Sequence, residues 1–234
     1  MKVAVNMRLP NGAEKTLVYG AKDVAEAYAK AKADHPTWEN VRASVSGEEA
    51  SRYFERELKK YNIIYADPPW KYNNRGVQGA CEKHHKTMSL PELERLPVGE
   101  IADANCALFL WATFPTLSDA LRLIGAWGFA YKTVAFVWLK QNRKADSWFF
   151  GTGFWTRSNA EVCLLATKGH PKRVSAKVHQ IIVSHIEQHS KKPDEARDRI
   201  VQLMGDLPRI ELFARQSPDG WDVWGNEVEC SVTL

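Results

Sequence analysis

Hydrophobic positions along the chain change their rhythm near residue 60. Before it, Val3, Val5, Met7 and Leu9 occupy alternate positions, the period of a half-buried strand, and Pro10-Asn11-Gly12 supplies a turn. A second short strand, Thr16 to Tyr19, ends at Gly20. Asp23 is then placed to cap a helix whose Val24, Ala27, Tyr28 and Ala31 share one face, stopping before Pro36. Val41, Ala43 and Val45 alternate again. The order strand, strand, helix, strand predicts a small α+β accessory unit over residues 1–50. So short a segment buries little surface alone, so its apolar face is expected to pack on the main domain or on another subunit, a homodimer being one arrangement. Residues 51–60 (SRYFERELKK) read as a connecting helix with Phe54 and Leu58 on one side.

From Tyr61 onward, strands alternate with helices. Asn62 to Ala66 is a short apolar run that stops at Asp67-Pro68-Pro69, and Ser89-Leu90-Pro91-Glu92 has capping-box spacing before Leu93 and Leu96. Ala107 to Trp111 reads as a second buried strand. Leu117, Ala120, Leu121 and Ile124 recur at helical spacing, and Gly125 and Gly128 punctuate the end. Thr133 to Leu139, Val162 to Ala166, Ile181 to Val183 and Ile210 to Phe213 read as further strands. Pro193 to Met204 reads as a helix with Ala196, Ile200 and Leu203 inward, closed by Gly205. Such alternation predicts an α/β domain over residues 51–234, with an open, mostly parallel sheet and helices on both faces. Ligands of such sheets bind beyond the carboxyl ends of the strands, where Asp67 falls.

Composition narrows the class. With 234 residues, 44% apolar and 26% charged, the chain is neither collagenous, coiled-coil nor wholly disordered. No run of about 18 apolar residues is present, and the opening MKVAVNMRLPNG lacks the apolar core of a signal peptide. Cys81, Cys106, Cys163 and Cys230 are scattered and form no C-x-x-C pair, so no metal site is expected and a reduced, cytoplasmic compartment is the simplest expectation. The net charge of +4 is clustered: Arg157, Lys168, Lys172, Arg173, Lys177, Lys191 and Lys192 face only Glu161 and Glu187 in the same stretch. A surface of this kind neutralises phosphates or is simply solvated, and the two readings are about even. The turn Lys168 to Arg173 lies beyond a strand end expected to face the cleft, which favours phosphate contact by Lys168, Lys172 and Arg173. Arg143, Lys144, Arg75 and Lys83 lie in further loops that could touch substrate. No G-x-G-x-x-G or P-loop motif occurs; Gly151-Thr152-Gly153 is a lone G-x-G that a flexible turn explains equally well.

The sharpest feature is Asp67-Pro68-Pro69-Trp70 at the end of a buried strand. Consecutive prolines fix φ and donate no hydrogen bonds, so the turn is stiff and presents only acceptors. A carboxylate beside such carbonyls suits a planar amino group, and Trp70 offers a face on which a base can stack. The exocyclic amine of adenine is a poor nucleophile because its lone pair is delocalised into the ring. Accepting one N–H at Asp67 and the other at the Pro68 carbonyl favours a pyramidal nitrogen with its lone pair outward, ready for a methyl group placed in line.

With these residues, the chain resembles the MT-A-70 family of S-adenosylmethionine-dependent N6-adenine methyltransferases. The likeness continues through Thr87-Met88-Ser89, Leu110-Trp111, Val137 to Lys140, Gly151 to Trp155, Glu161 and Ala166 to Gly169. It runs on through His189 to Glu195, Glu211 to Arg215, Gly220-Trp221 and Trp224 to Glu227, so that it spans residues 61 to 228. It implies a Rossmann-like methyltransferase domain with S-adenosylmethionine as cofactor and nucleic acid as partner, with the compact loops of a bacterial or phage member. It also implies that Asp67, Pro68, Pro69 and Trp70 form the catalytic site. Ser190 and Lys192 would lie near the cofactor's methionine or ribose, and Glu211, Arg215, Asn226 and Glu227 would hold its ribose and adenine, with Asp67 common to both sets. His85 falls where the family has an aromatic facing the target base, although an exposed loop histidine fits the position almost as well. Glu227 stands where some relatives have glutamine and Ser217 where some have histidine; Glu48, Glu49 and Glu55 are the upstream acids, at no identifiable spacing. The expected reaction is methylation of adenine N6, with DNA ahead of RNA as the polymer. A non-catalytic scaffold and a cytosine methyltransferase are the rivals.

Overall fold

A computed structural model of the protein describes residues 2–10, 12–45, 59–71, 87–153, 155–187, 191–232 and 234. Phe54 and Leu58 of the expected connecting helix lie outside them. The chain divides into two compact units, Met1–Lys59 and Lys60–Leu234.

In the first unit, β1 (Lys2–Arg8), β2 (Glu14–Gly20) and β3 (Glu39–Val45) form an antiparallel sheet ordered β2-β1-β3, with α1 (Val24–Asp34) in the connection. Period-2 alternation puts Val3, Val5 and Met7 on one face, where they bury against Val24, Ala27 and Ala31 of α1. Asp23 caps that helix by accepting the Glu26 N–H at 2.7 Å.

Among the described residues, the second unit is built on eight strands. They are β4 (Tyr61–Ala66), β5 (Ala102–Ala112), β6 (Ala130–Asn142), β7 (Ala145–Trp148), β8 (Ala160–Lys168), β9 (Ile181–His185), β10 (Arg209–Leu212) and β11 (Asp222–Trp224). The order is β11-β10-β4-β5-β8-β6-β7, with β9 also paired to β6. Six strands run one way and only β7 and β8 oppose them, so the sheet is mostly parallel. Alternate residues of β4 and β5 go to opposite faces. Ile64, Leu108 and Leu110 pack with α2 (Leu90–Glu94), α3 (Val98–Ile101) and α4 (Leu117–Ala126), while Ile63, Tyr65, Phe109 and Trp111 pack with α5 (Glu195–Met204). Each of these apolar side chains contributes about 1.5–3 kcal/mol of burial, which is why central strands covered on both faces read as continuous apolar runs. The Ser89–Glu92 capping box is formed, with the Ser89 N–H donating to Glu92 Oε2 at 2.7 Å.

Three details depart from the pattern-based expectation. Leu121 is exposed and Leu123 buried, because a 3-10 turn over Phe114–Thr116 sets the phase of α4 so that Ala120, Leu123, Ile124 and Trp127 face inward. On α5, Ala196 and Ile200 are fully buried as expected, but the third buried apolar position is Met204 rather than Leu203. Strands β7 and β11 were not legible: β7 is exposed throughout and has no buried face to impose alternation, and β11 has only three residues.

Candidate active site

Because β4, β5, β6, β10 and β11 are parallel, their carboxyl ends meet at one edge of the sheet, where β8, running the other way, begins. Asp67 follows β4 there, and a line of alternating charges starts from it. Lys192, just before α5, donates to Asp67 Oδ2 at 2.7 Å and lies 3.3 Å from Glu161 Oε2. Glu161, at the head of β8, in turn pairs with Lys140 near the end of β6. The indoles of Trp111 and Trp138 back this line, with Lys192 Nζ 5.8 Å from the Trp111 ring centre and Lys140 Nζ 4.9 Å from that of Trp138. Asp67 keeps 29% of its side chain open to solvent while Lys192 keeps 11%, so the carboxylate is the member of the pair a ligand can reach.

Burial pushes the Asp67 carboxyl up, against the pull of Lys192. Burial acts on Glu161 in the same sense, but Lys192 and Lys140 overcome it and hold that carboxyl below its ordinary value. Burial opposes the charge on Lys192 as well, and the two carboxylates outweigh it and raise the amine. The two acids therefore differ: Glu161 is the fixed counter-ion, and Asp67 is the one whose proton affinity is increased.

The proline turn is built as a clamp. The Pro68 carbonyl accepts the Trp70 N–H at 2.8 Å, leaving one lone pair, and the Pro69 carbonyl accepts the Met88 N–H at 2.8 Å. Trp70 does not offer a stacking face. It is 7% exposed, sits in the core beside α2–α4, and its Nε1–H donates to the Trp111 carbonyl at 3.1 Å. The expectation that a base stacks on Trp70 is therefore corrected: an indole follows the turn because a large apolar side chain pins the turn to the core. Trp70→Phe is expected to lower stability by about 1 kcal/mol, the worth of one buried hydrogen bond, in chemical denaturation, while Trp70→Ala costs about 3–5 kcal/mol.

At the same edge, beyond β10 and β11, Arg215 stands 3.8 Å from Glu227. Arg215 is close enough to favour the ionised form of Asp67, and Asn226 beside it is exposed. Phe213, ending β10, adopts φ of +62°, a strained conformation for an aromatic residue, and packs edge-on to Trp224 with ring centres 5.4 Å apart. A side chain at Gly225 would come within 2.2 Å of the Ala214 carbonyl oxygen, so the two loops are held together at a point where only glycine fits. This donor set fits S-adenosylmethionine: a half-open cation, Arg215, for a carboxylate, a partly open acid for an amine, and an amide and a carboxylate for ribose hydroxyls. Glu211 is placed differently. Arg197 of α5 donates to its carboxylate at 3.0 and 3.3 Å, so it anchors the helix to β10. Burial raises the Glu211 carboxyl to about 7 from 4.5, Arg197 opposing. A raised folded value means its stabilising contribution is complete below pH about 4.5 and lost on rising to about 7, so wild type should lose about 3 kcal/mol relative to Glu211→Gln across that window in denaturation titrations.

The MT-A70 family model matches residues 61–227, the span that carries this whole edge. The chain belongs to the MT-A70 family. It is similar to the type II methyltransferase M.MunI of a Mycoplasma species, with 37% identity over 190 residues, covering 73% of this chain and 78% of that one. It is also similar to the human N6-adenosine-methyltransferase catalytic subunit, at 28% identity over 176 residues. A fruit-fly (Drosophila melanogaster) MT-A70-like N6-adenosine-methyltransferase is 29% identical over 176 residues. The chain spans only 29% and 28% of those two animal proteins, though 74% of it is matched in each case. This MT-A70 protein is an S-adenosylmethionine-dependent methyltransferase of the N6-adenine class.

Within the enzyme, the expected residues separate into groups. Asp67, Pro68, Lys192, Arg215, Asn226 and Glu227 share the carboxyl edge. Ser190, His85, Arg75 and Lys83 lie outside the described residues. Lys168, Lys172 and Arg173 are corrected. β8 is antiparallel, so Lys168, its last residue, pairs with Cys106 in the first half of β5 while Leu164 pairs with Leu110 beside Ala66. The turn that follows therefore leaves the sheet at the edge away from Asp67, and Lys168 Nζ is occupied by the Gly99 carbonyl at 2.8 Å. A strand's direction is set by its pairing and not by its apolar pattern, which is why the turn's location was misjudged. Lys140, Glu161 and Phe213 fall within the family motifs, but the sequence assigned none of them a role at the site. The available signal was a charge flanking the apolar stretch of each strand on the same side of the sheet, Lys140 after Val134–Leu139 in β6 and Glu161 before Val162–Ala166 in β8.

Proposed function

We propose that the adenine modified by this methyltransferase lies in DNA, and that Asp67 and the Pro68 carbonyl hold its N6 amine. The observation that carries the reading is the partly open Asp67 carboxylate, fixed by Lys192 beside a turn whose remaining groups are acceptors. Asp67 accepts one amine hydrogen and the free lone pair of the Pro68 carbonyl accepts the other, so the nitrogen is drawn out of conjugation with the ring. Bound S-adenosylmethionine supplies the electrophilic methyl group. Arg215, Asn226 and Glu227 would hold it, the cation on its carboxylate and the amide and acid on its ribose, while Lys192 acts beside it through Asp67. The raised proton affinity of Asp67 suits it to receive the proton that the methylated nitrogen gives up. Lys192 stays charged between Asp67 and Glu161, so the clamp keeps its geometry while that proton moves.

DNA is favoured over RNA because the chain matches 78% of the length of a bacterial type II methyltransferase and less than a third of the animal adenosine enzymes. Paired DNA requires the target to be flipped out, at a cost of a few kcal/mol. Such an enzyme works in the bacterial cytoplasm, on host or phage DNA. RNA is the second reading, supported by the relatives named for adenosine. Incubation with labelled methyl donor and sequence-matched DNA and RNA oligonucleotides, followed by nucleoside analysis, should place the label on N6-methyladenine of DNA. Label confined to RNA, or found on cytosine, would overturn the proposal. Sedimentation of the same sample tests the homodimer.

A further inference from the structure

A loop beside the charge line has no part in the chemistry above. It connects β7 to β8 and folds tightly on itself. A Cβ at Gly151 would lie 2.0 Å from the Ser158 carbonyl oxygen, and one at Gly153 would lie 2.1 Å from that of Thr156. The lone G-x-G of the sequence is thus a close approach of two backbone limbs. Two backbone bonds tie the loop's base to the site: the Phe149 N–H donates to the Lys140 carbonyl, and the Lys140 N–H donates to the Asn159 carbonyl, both at 2.9 Å. Lys140 is the outer member of the line that ends at Asp67.

What the loop presents is unusual for a soluble surface. Trp155 is 100% exposed, Phe150 75% and Trp148 55%. The Arg157 guanidinium lies over Phe150, 5.5 Å from the ring centre. Arg143 and Lys144, in the adjoining β6–β7 turn, are exposed as well. Against these three cations the segment from residue 143 to 158 has one acid, Asp146, and His185 Nε2 is 3.3 Å from it. No Leu, Ile, Val or Met occurs from residue 145 to 161, so the large apolar side chains of this segment are all flat rings. Flat aromatic faces set among cations match a polymer of flat bases and phosphates.

We infer that Trp148, Phe150, Trp155 and Arg157 form a stacking surface for unpaired bases of the substrate strand flanking the target adenine. The inference rests on the nucleic-acid reading above, and the test separates the two. Anisotropy titrations with a fluorescein-labelled single strand of about 20 nucleotides, as DNA and as RNA, should show Trp155→Ala and Phe150→Ala each weakening binding about tenfold, since one stacked base contributes about that factor. A sugar-phosphate strand of equal length without bases should bind the wild type and both variants alike. Arg157→Ala should reduce the slope of log K against log salt by about 0.7, the loss of one phosphate contact on a single strand. The thermal midpoint and S-adenosylmethionine affinity of all three variants should match wild type. Failure of the wild type to bind or label any nucleic acid would sink the function proposed above. A wild type that binds and methylates, alongside Trp155→Ala and Phe150→Ala variants within twofold of it on the base-bearing strand, would overturn only the loop's role. Conversion of a dimer to monomers by Trp155→Ala with affinity per protomer unchanged would likewise overturn it, making the loop an interface between copies.

Discussion

Asp67→Ala should lower kcat/KM for methyl transfer by about a thousandfold or more in single-turnover assays, with the protein still folded. The substitution removes the acceptor for one amine hydrogen, and losing one such preorganised contact costs about 10²–10³ in rate. It also removes the anion that Lys192 contacts at 2.7 Å, so the reacting amine would lie near a cation that keeps only Glu161 of its two carboxylates. Asp67→Asn retains one oxygen acceptor without the charge and should fall between wild type and alanine. Lys192 still has Glu161 in both variants, so the thermal midpoint should move little. Retention of activity within tenfold by Asp67→Ala would show that the amine is held elsewhere.

The largest effect on stability is expected from Lys192→Met. This cation lies between Asp67 and Glu161 and is 11% exposed. Its removal leaves two carboxylates facing each other at a largely closed edge, with only Lys140 to serve Glu161. Breaking a largely buried pair in this way costs about 3–5 kcal/mol, because Glu161, 14% exposed, has little water to replace its partner. The sign of the pH dependence follows. In the variant both acids lose a cation, so their folded proton affinities rise above the unfolded ones. Stability is then greatest where both are protonated and is lost as pH rises. The deficit relative to wild type should accordingly shrink as pH falls toward about 4, in urea melts at stepped pH. A deficit under 1 kcal/mol, or one that grows on acidification, would mean that the acids are well hydrated.

The elements were legible where burial imposes a period. Asn62 to Ala66 and Ala107 to Trp111 lie in strands covered on both faces and read as apolar runs, although β5 itself starts earlier, at Ala102, where Asp103 and Asn105 break the pattern; α5 reads from Ala196 and Ile200. Strand β7 has no buried face and so carried no signal. The proline turn at the end of β4 was legible because two rings restrict the backbone whatever surrounds them. The role of Trp70 was not: an indole after a turn can face solvent or core, and its 7% exposure follows from packing against residues far along the chain.

Local chemistry thus determined that a rigid, acceptor-lined bend with one carboxylate ends a buried strand, and by family motif that the bend belongs to a methyltransferase. Tertiary structure alone decided which charges meet Asp67. Lys192 is 125 residues from it in sequence, and Glu161 and Lys140 come from strands that neighbour each other only through pairing. It also decided that β8 runs backwards, so that the basic turn after it leaves the sheet far from the chemistry while the aromatic loop before it opens beside the site. Side-chain type and backbone stiffness are properties of a few consecutive residues. Strand direction and the meeting of buried charges depend on hydrogen bonds between segments far apart in the chain, and these exist only once the sheet has formed.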